Sequence, residues 1–277
     1  MHRRHVLAAA FAAVTAVAAP ALLAPTALAE RFVAVDANNR LYVFDDQRPG
    51  SWERSRPLTG LAAGERVVGI DVRPANRQLV ALTNRSRLYN VSRPRARATP
   101  IGSGPFTPAL AGSTFGFDFN PTVDRIRLVS NSGQNLRLHP DTGAVAETDG
   151  TLAFKEGDPS AGTGTAVLAA AYTNNVAGAT TTTLYTIDAG KDALLIQDPP
   201  NDGVLSTVGP LGVNLTGPMS FDISARDGKA FVLARRAGAP RSRLFSIDLA
   251  TGAARQLGAV SRAPNLVAFA ALSPPGR

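Results

Sequence analysis

The chain has 277 residues, a formal net charge of +8, three histidines, one tryptophan and no cysteine. The last absence excludes disulfides, lipid attachment through cysteine, thiolate metal sites and cysteine nucleophiles. His2 and His5 fall in the leader described next, so His139 is the one imidazole beyond it: multi-histidine zinc sites are excluded, and any Ser-His-Asp triad has to use that residue.

The first 29 residues have a basic start at Arg3 and Arg4, an Ala/Val/Leu-rich middle, and Ala27-Leu28-Ala29, a small-x-small cleavage signal. This predicts a secretory signal peptide over 1–29, hence a secreted or extracytoplasmic protein. The arginine pair followed by His5-Val6-Leu7 also resembles a twin-arginine signal, incomplete, so both the general secretory (Sec) route and twin-arginine export stay open. Pro20 and Pro25 interrupt the apolar stretch, and no stable membrane insertion is expected. No linker divides 30–277, which is expected to be a single domain.

The two arginines of the leader account for 2 of the +8 charges, leaving +6, nearly all arginine; the lysines are Lys155, Lys191 and Lys229. The densest runs, Arg85 to Ala98 and Arg235 to Arg243, lie mostly in turn-like sequence. They predict solvated loops and no nucleic-acid groove, with anionic surfaces or glycans as the partners such loops would suit.

A unit recurs along the chain as RLYVFDD (from Arg40), RLYNVSR (Arg87), NLRLHPDTG (Asn135), TLYTIDAG (Thr183) and RLFSIDLATG (Arg243). Its leucines, Leu41, Leu88, Leu136, Leu184 and Leu244, are separated by 47, 48, 48 and 60 residues, a propeller-blade period. VVGIDVRP, FGFDFNP and MSFDIS form a second series of apolar strands, each carrying an aspartate. Between the two series run period-2 strands such as QLVALTN and RIRLVSN, and short segments follow, giving four strands per repeat. The N-terminus supplies three strands lacking a first, and NLVAFAALSP near the C-terminus is an orphan strand; pairing the two closes a ring. The expectation is an all-β β-propeller of five four-stranded blades, with little helix. In the repeat around Leu184 the LYTID strand falls second instead of third, and six blades remain the alternative if Thr151 to Ala166 is more than a loop. KEGDPSAGTGT (Lys155 to Thr165) is expected to be mobile.

FGFDFNPTVDRIRLVSNSGQNLRLHPDTG, AAAYTNNVAGATTTTLYTID and QDPPNDGVLSTVGPLGV resemble bacterial domain-of-unknown-function family 4394, over about Arg31 to Ala271. The resemblance implies an exported, propeller-like domain and brings no established activity, substrate or catalytic residue. The arginine-rich turns between Val67 and Gly104 depart from that pattern.

Two groups of residues are site candidates. Asp71, Asp118 and Asp222 recur at one place in three first strands, which line a propeller's channel; convergence there would suit calcium or acid-base chemistry. The alternative is that each accepts hydrogen bonds from a neighbouring blade's backbone. Asn120, Asp124, Arg127, Asn135 and Arg137 form a polar row in one repeat; the structural alternative is turn formation together with cross-strand pairing of Asp124, Arg125 and Arg127 with Asn135 or Arg137, which accounts for most of it. Asp198, Asn201 and Asp202 lack the spacing of an EF-hand, His139 reads as a strand-end residue, and Trp52 is either a sugar-stacking platform or a loop anchor. G-x-S-x-G and nucleotide-binding loops are missing. The expected function is that of a monomeric, non-enzymatic exported propeller binding an extracellular or cell-envelope ligand, a glycan or a protein, with no nucleic acid. No cofactor or metal is assigned. A carboxylate-based hydrolase or lyase at the channel mouth, with calcium, is the alternative.

Overall fold

The computed structural model describes residues 28–260 and 265–272. Except for Leu28 and Ala29, the expected leader lies outside the described residues. Five sheets, antiparallel except for one short outer strand, make up the described residues. Blade 1 combines β1 (Arg31–Asp36), β2 (Arg40–Asp45) and β3 (Arg54–Pro57) with the last strand, β21 (Leu266–Leu272), in the order β21-β1-β2-β3. Blade 2 holds β4 (Val67–Val72), β5 (Leu79–Thr83), β6 (Arg87–Ser92) and β7 (Arg97–Ile101). Blade 3 holds β8 (Phe115–Asn120), β9 (Arg125–Ser130), β10 (Asn135–Leu138) and β11 (Val145–Thr148). Blade 4 is built from β13 (Val167–Tyr172), β14 (Leu184–Asp188), β15 (Ala193–Gln197) and β16 (Val204–Pro210), blade 5 from β17 (Leu215–Ile223), β18 (Ala230–Arg236), β19 (Ser242–Ile247) and β20 (Ala254–Ala259).

The chain is an all-β, five-bladed propeller. Its ring is closed inside blade 1, where Phe32 pairs with Ala271 and Ala34 with Phe269. The inner strands pack in a circle, β4 on β8, β8 on β13, β13 on β17, β17 on β21 and β21 on β4. Thr151 to Ala166 does not start a sixth blade: β12 (Ala153–Phe154) adds a short parallel strand outside β16. LYTID is the second strand of blade 4, whereas the other four leucines of the repeat sit on third strands. The expected mobile loop is tied to β16: Lys155 N–H donates to the Leu205 carbonyl (2.8 Å), and the Asp158 carboxylate accepts Thr207 N–H (2.7 Å) and Thr207 Oγ1 (3.0 Å).

Each propeller blade has a neighbour on both faces, and burial follows from that. Inner strands such as FGFDFN are buried on both sides, while outer strands such as VAET and RSRP are largely exposed. Apolar side chains collect at the five blade interfaces instead of in one central core, for example Phe32, Phe231 and Phe269 between blades 5 and 1. Near the axis the inner strands approach too closely for large side chains. A Cβ on Gly69 would lie 2.8 Å from Phe117 Cβ, and one on Gly116 would lie 2.6 Å from Ala170 Cβ. No helix among the described residues is long and apolar enough to cross a membrane.

Candidate functional site at the propeller axis

Two residues after Gly69, Gly116 and Ser220 come Asp71, Asp118 and Asp222. The small residues let the inner strands converge, and one oxygen from each buried carboxylate lies within 4.8 Å of the others. Each aspartate also reaches the next blade. Asp71 Oδ2 accepts Phe119 N–H (2.8 Å), Asp118 Oδ1 accepts Tyr172 N–H (3.0 Å), and Asp222 Oδ2 accepts Ala271 N–H (2.6 Å). The corresponding positions in β13 and β21 are Ala171 and Ala270, so Ile223 and Val72 receive no carboxylate from the preceding blade. Their N–H groups bond instead to Asp222 Oδ1 and Asp71 Oδ1, both at 2.6 Å. Three aspartates thereby satisfy one N–H on every inner strand, which buried backbone donors require.

Crowding three carboxylates away from water favours their protonated forms. Burial raises the proton affinity of Asp71, with the Asp222 carboxylate adding to it. Burial does the same for Asp118, reinforced by Asp71 and Asp222. Burial pushes Asp222 up to about 7 against two opposing backbone hydrogen bonds. The cluster can therefore share protons near neutral pH, and it also presents oxygens of the kind that hard cations take.

The polar row of blade 3 divides into two separate networks. Arg127, 2% exposed, donates from Nη1 to Asn135 Oδ1 (2.8 Å) and to Asp149, from Nη2 to Asn201 Oδ1 (2.7 Å) and from Nε to Tyr172 Oη (3.3 Å). Arg137 grips Asp149 with two bonds of 2.9 Å. Asn135 donates to the carbonyls of Gly150 and Pro200, locking blade 3 to the 198–203 loop of blade 4. Asp124, expected to pair with Asn135 or Arg137, is bound instead by Arg73 of blade 2, which also holds Asp141. Arg125, grouped with the same cross-strand pairing, donates instead to the Asp124 carbonyl at 3.0 Å. Asn120 Oδ1 accepts Thr122 N–H at 2.9 Å in the expected turn. Asp149 and Arg73 were not singled out by the sequence, and Asn201 only as part of an EF-hand-like trio. The signal that marks them is a conjunction of isolated acidic or amide residues at turn positions facing unpaired strand arginines.

His139 lies one residue beyond β10, its Nδ1 accepting Asp141 N–H at 3.2 Å. Trp52 packs on Tyr42 and Phe44, with ring centroids 4.7 and 5.6 Å away, and anchors the β2–β3 loop. Asn201, part of the EF-hand-like trio, is committed to Arg127.

A cavity of about 280 Å³ opens at the axial mouth where the inner strands begin. Val67, Val68, Phe115, Met219 and Val267, from four blades, give it apolar walls. Arg66, exposed at the rim, makes no side-chain hydrogen bond or ion pair among the described residues, and Thr114 Oγ1 is buried there without a hydrogen-bond partner.

Among solved structures, the chain is similar to the hydrazine synthase of Kuenenia stuttgartiensis (13% identity, TM-score 0.43), covering 78% of this chain and 54% of that one. It is similar to the glutaminyl cyclase of Myxococcus xanthus (12%, TM-score 0.47; 78% and 95%) and to the dihydro-heme d1 dehydrogenase NirN (12%, TM-score 0.37; 81% and 43%). The chain thus spans about half the length of the first of these and less of the third. No curated protein matches it. Residues 40–270 match the domain of unknown function DUF4394, and the chain belongs to that family.

Proposed function

We propose that this propeller is an exported, non-enzymatic binding module whose ligand enters the axial mouth. The observation that carries this reading is the cavity walled by inner-strand residues of four blades, with an apolar interior, an unbonded Thr114 hydroxyl and the Arg66 guanidinium at its rim. Pockets of this construction orient a ligand with a few polar groups and hold it by apolar burial. The class that fits is a small molecule with an apolar body and one anionic or hydrogen-bond-accepting head. Anilinonaphthalene sulfonate has that form and serves as probe. Its fluorescence is expected to rise on binding the native protein, to fall back with Ser113→Trp, which narrows the mouth, and to weaken with Arg66→Glu. Undiminished binding by both variants would refute the assignment.

The export part of the proposal is supported by the Glu30 environment. Cleavage after Ala29 would make Glu30 N the terminal amine, 2.8 Å from Asp46 Oδ1, where an ammonium group would find a carboxylate. N-terminal sequencing of the protein from the medium or the cell envelope tests this.

The second reading, calcium or carboxylate chemistry at the axis, is favoured by the convergence of Asp71, Asp118 and Asp222. Against it stand five backbone N–H groups already using these carboxylates. A thermal shift with calcium, reversed by EDTA and abolished in Asp118→Asn, would establish it over the structural role.

A further inference from the structure

Arg93 follows β6 in the Ser92-Arg93-Pro94 turn, half-buried between two depressions. One, of about 620 Å³, is lined by Asn76, Arg77, Gln78, Asn90, Ser92 and Thr99 together with Arg93. The other, of about 220 Å³, includes Arg31, Glu53 and Arg54. Arg93 lines both, so the two form a single strip across the junction of blades 1 and 2.

The charged lining of this strip is dominated by arginine. It presents four arginines and one carboxylate, and Arg31 already binds that carboxylate through two hydrogen bonds. Arg93 makes no hydrogen bond or ion pair among the described residues. Burial lowers its proton affinity, as do the neighbouring Arg77 and Arg31 charges. Partly desolvating a guanidinium beside like charges is costly unless an anion compensates it, and the planar guanidinium fork matches oxyanions.

The uncharged part of the lining narrows the partner. Asn76, Gln78, Asn90, Ser92 and Thr99 offer amides and hydroxyls suited to a polyol, and no aromatic ring lines either depression. Nucleic acids held along a groove use base stacking, for which this strip offers no platform. We propose that the strip binds an acidic polysaccharide, with Arg93 bridging its oxyanion groups and the amides and hydroxyls meeting its ring hydroxyls. This site is separate from the axial mouth and independent of what binds there.

The test is isothermal titration of the full protein with a heparin hexasaccharide, inorganic sulfate, a neutral dextran of equal length and a single-stranded DNA of equal charge. Binding of the hexasaccharide is expected to weaken with added salt. Arg93→Gln is expected to weaken it by at least about tenfold, as loss of a charged hydrogen-bond donor implies. Arg85→Gln, which removes the same charge elsewhere, should leave it unchanged. Because Arg93 bonds to no other described group, the variant should keep the native melting temperature, and Asn90→Asp provides a second test by placing a carboxylate in the strip. Equal effects of Arg93→Gln and Arg85→Gln, dextran binding as tightly as the hexasaccharide, or DNA binding at least as tightly would each overturn the proposal.

Discussion

Asp222 Oδ2 accepts the backbone N–H of Ala271 at 2.6 Å, joining the inner strand of the last blade in sequence to the strand that closes the ring. Asp222 Oδ1 simultaneously holds Ile223 N–H, so both of its oxygens serve as backbone acceptors. Asp118 accepts one such bond, from Tyr172. Equivalent positions in the repeat therefore have unequal chemical demands.

An amide at position 222 would turn an NH₂ group toward one of the two N–H donors. Asp222→Asn should cost about 1–3 kcal/mol, the penalty of an unsatisfied buried donor. Asp118→Asn can keep its carbonyl on Tyr172 N–H and direct its NH₂ toward the Asp71 and Asp222 carboxylates, which removes a repulsion. Its chemical denaturation midpoint at pH 7.5 should equal or exceed that of the native protein; a loss as large as that of Asp222→Asn would contradict this division of roles.

The same triad sets a pH dependence. Asp222 releases its proton at about 7 in the folded protein but near 4 in an unfolded chain. Between those values the folded state binds more protons, so stability falls as pH rises. The contribution is fully present below about pH 4 and is lost through about pH 7, with a size on the order of a few kcal/mol. Asp141, held low by Arg73, acts in the opposite direction, its contribution being lost as pH falls through its lowered value. Urea unfolding at intervals from pH 4 to 8 should show a decline that is flattened in Asp222→Asn.

Blade number and closure were legible because they rest on periodic features. Five leucines spaced 47 to 60 residues apart mark the repeats, and the first strand missing at one end is supplied by the orphan at the other. The positions of Asp71, Asp118 and Asp222 were visible for the same reason. Their use was not, since whether a carboxylate faces an N–H group or a cation depends on inter-strand distances that Gly69 and Gly116 set in three dimensions. Arg127 was visible as a strand arginine, but its partner Asn201 lies 74 residues away in a loop whose composition signals only a turn. Asp124 was misassigned because cross-strand register says nothing about the adjacent blade, where Arg73 resides.

The Arg127 network should behave as a unit. Arg127→Met removes a buried charge but leaves Asp149 paired with Arg137, so the loss should lie toward the lower end of the ~3–5 kcal/mol expected for breaking a buried ion pair. Asn201→Ala should cost about 1 kcal/mol in the native background and much less in Arg127→Met, where its acceptor has already lost its donor. Additive losses in a double-mutant cycle would show that the contact between blades 3 and 4 carries no coupling.

The closing strand makes the strongest demand on the fold. Phe32 lies against Phe231 and Phe269, with ring centroids 5.0 and 5.3 Å apart, and Phe269→Ala should cost about 3–5 kcal/mol through lost burial and an interior cavity. Deleting residues from 265 onward goes further: it exposes the edge of β1, removes a packing partner from both β4 and β17, and strips Asp222 of a hydrogen bond. An unpaired inner edge beside exposed apolar surface favours association over a folded monomer. The truncated chain should elute as aggregate, and a synthetic peptide spanning 265–277 should restore a monomeric complex with native circular dichroism. A truncated chain that remains monomeric and cooperatively folded without the peptide would mean that ring closure contributes little to stability.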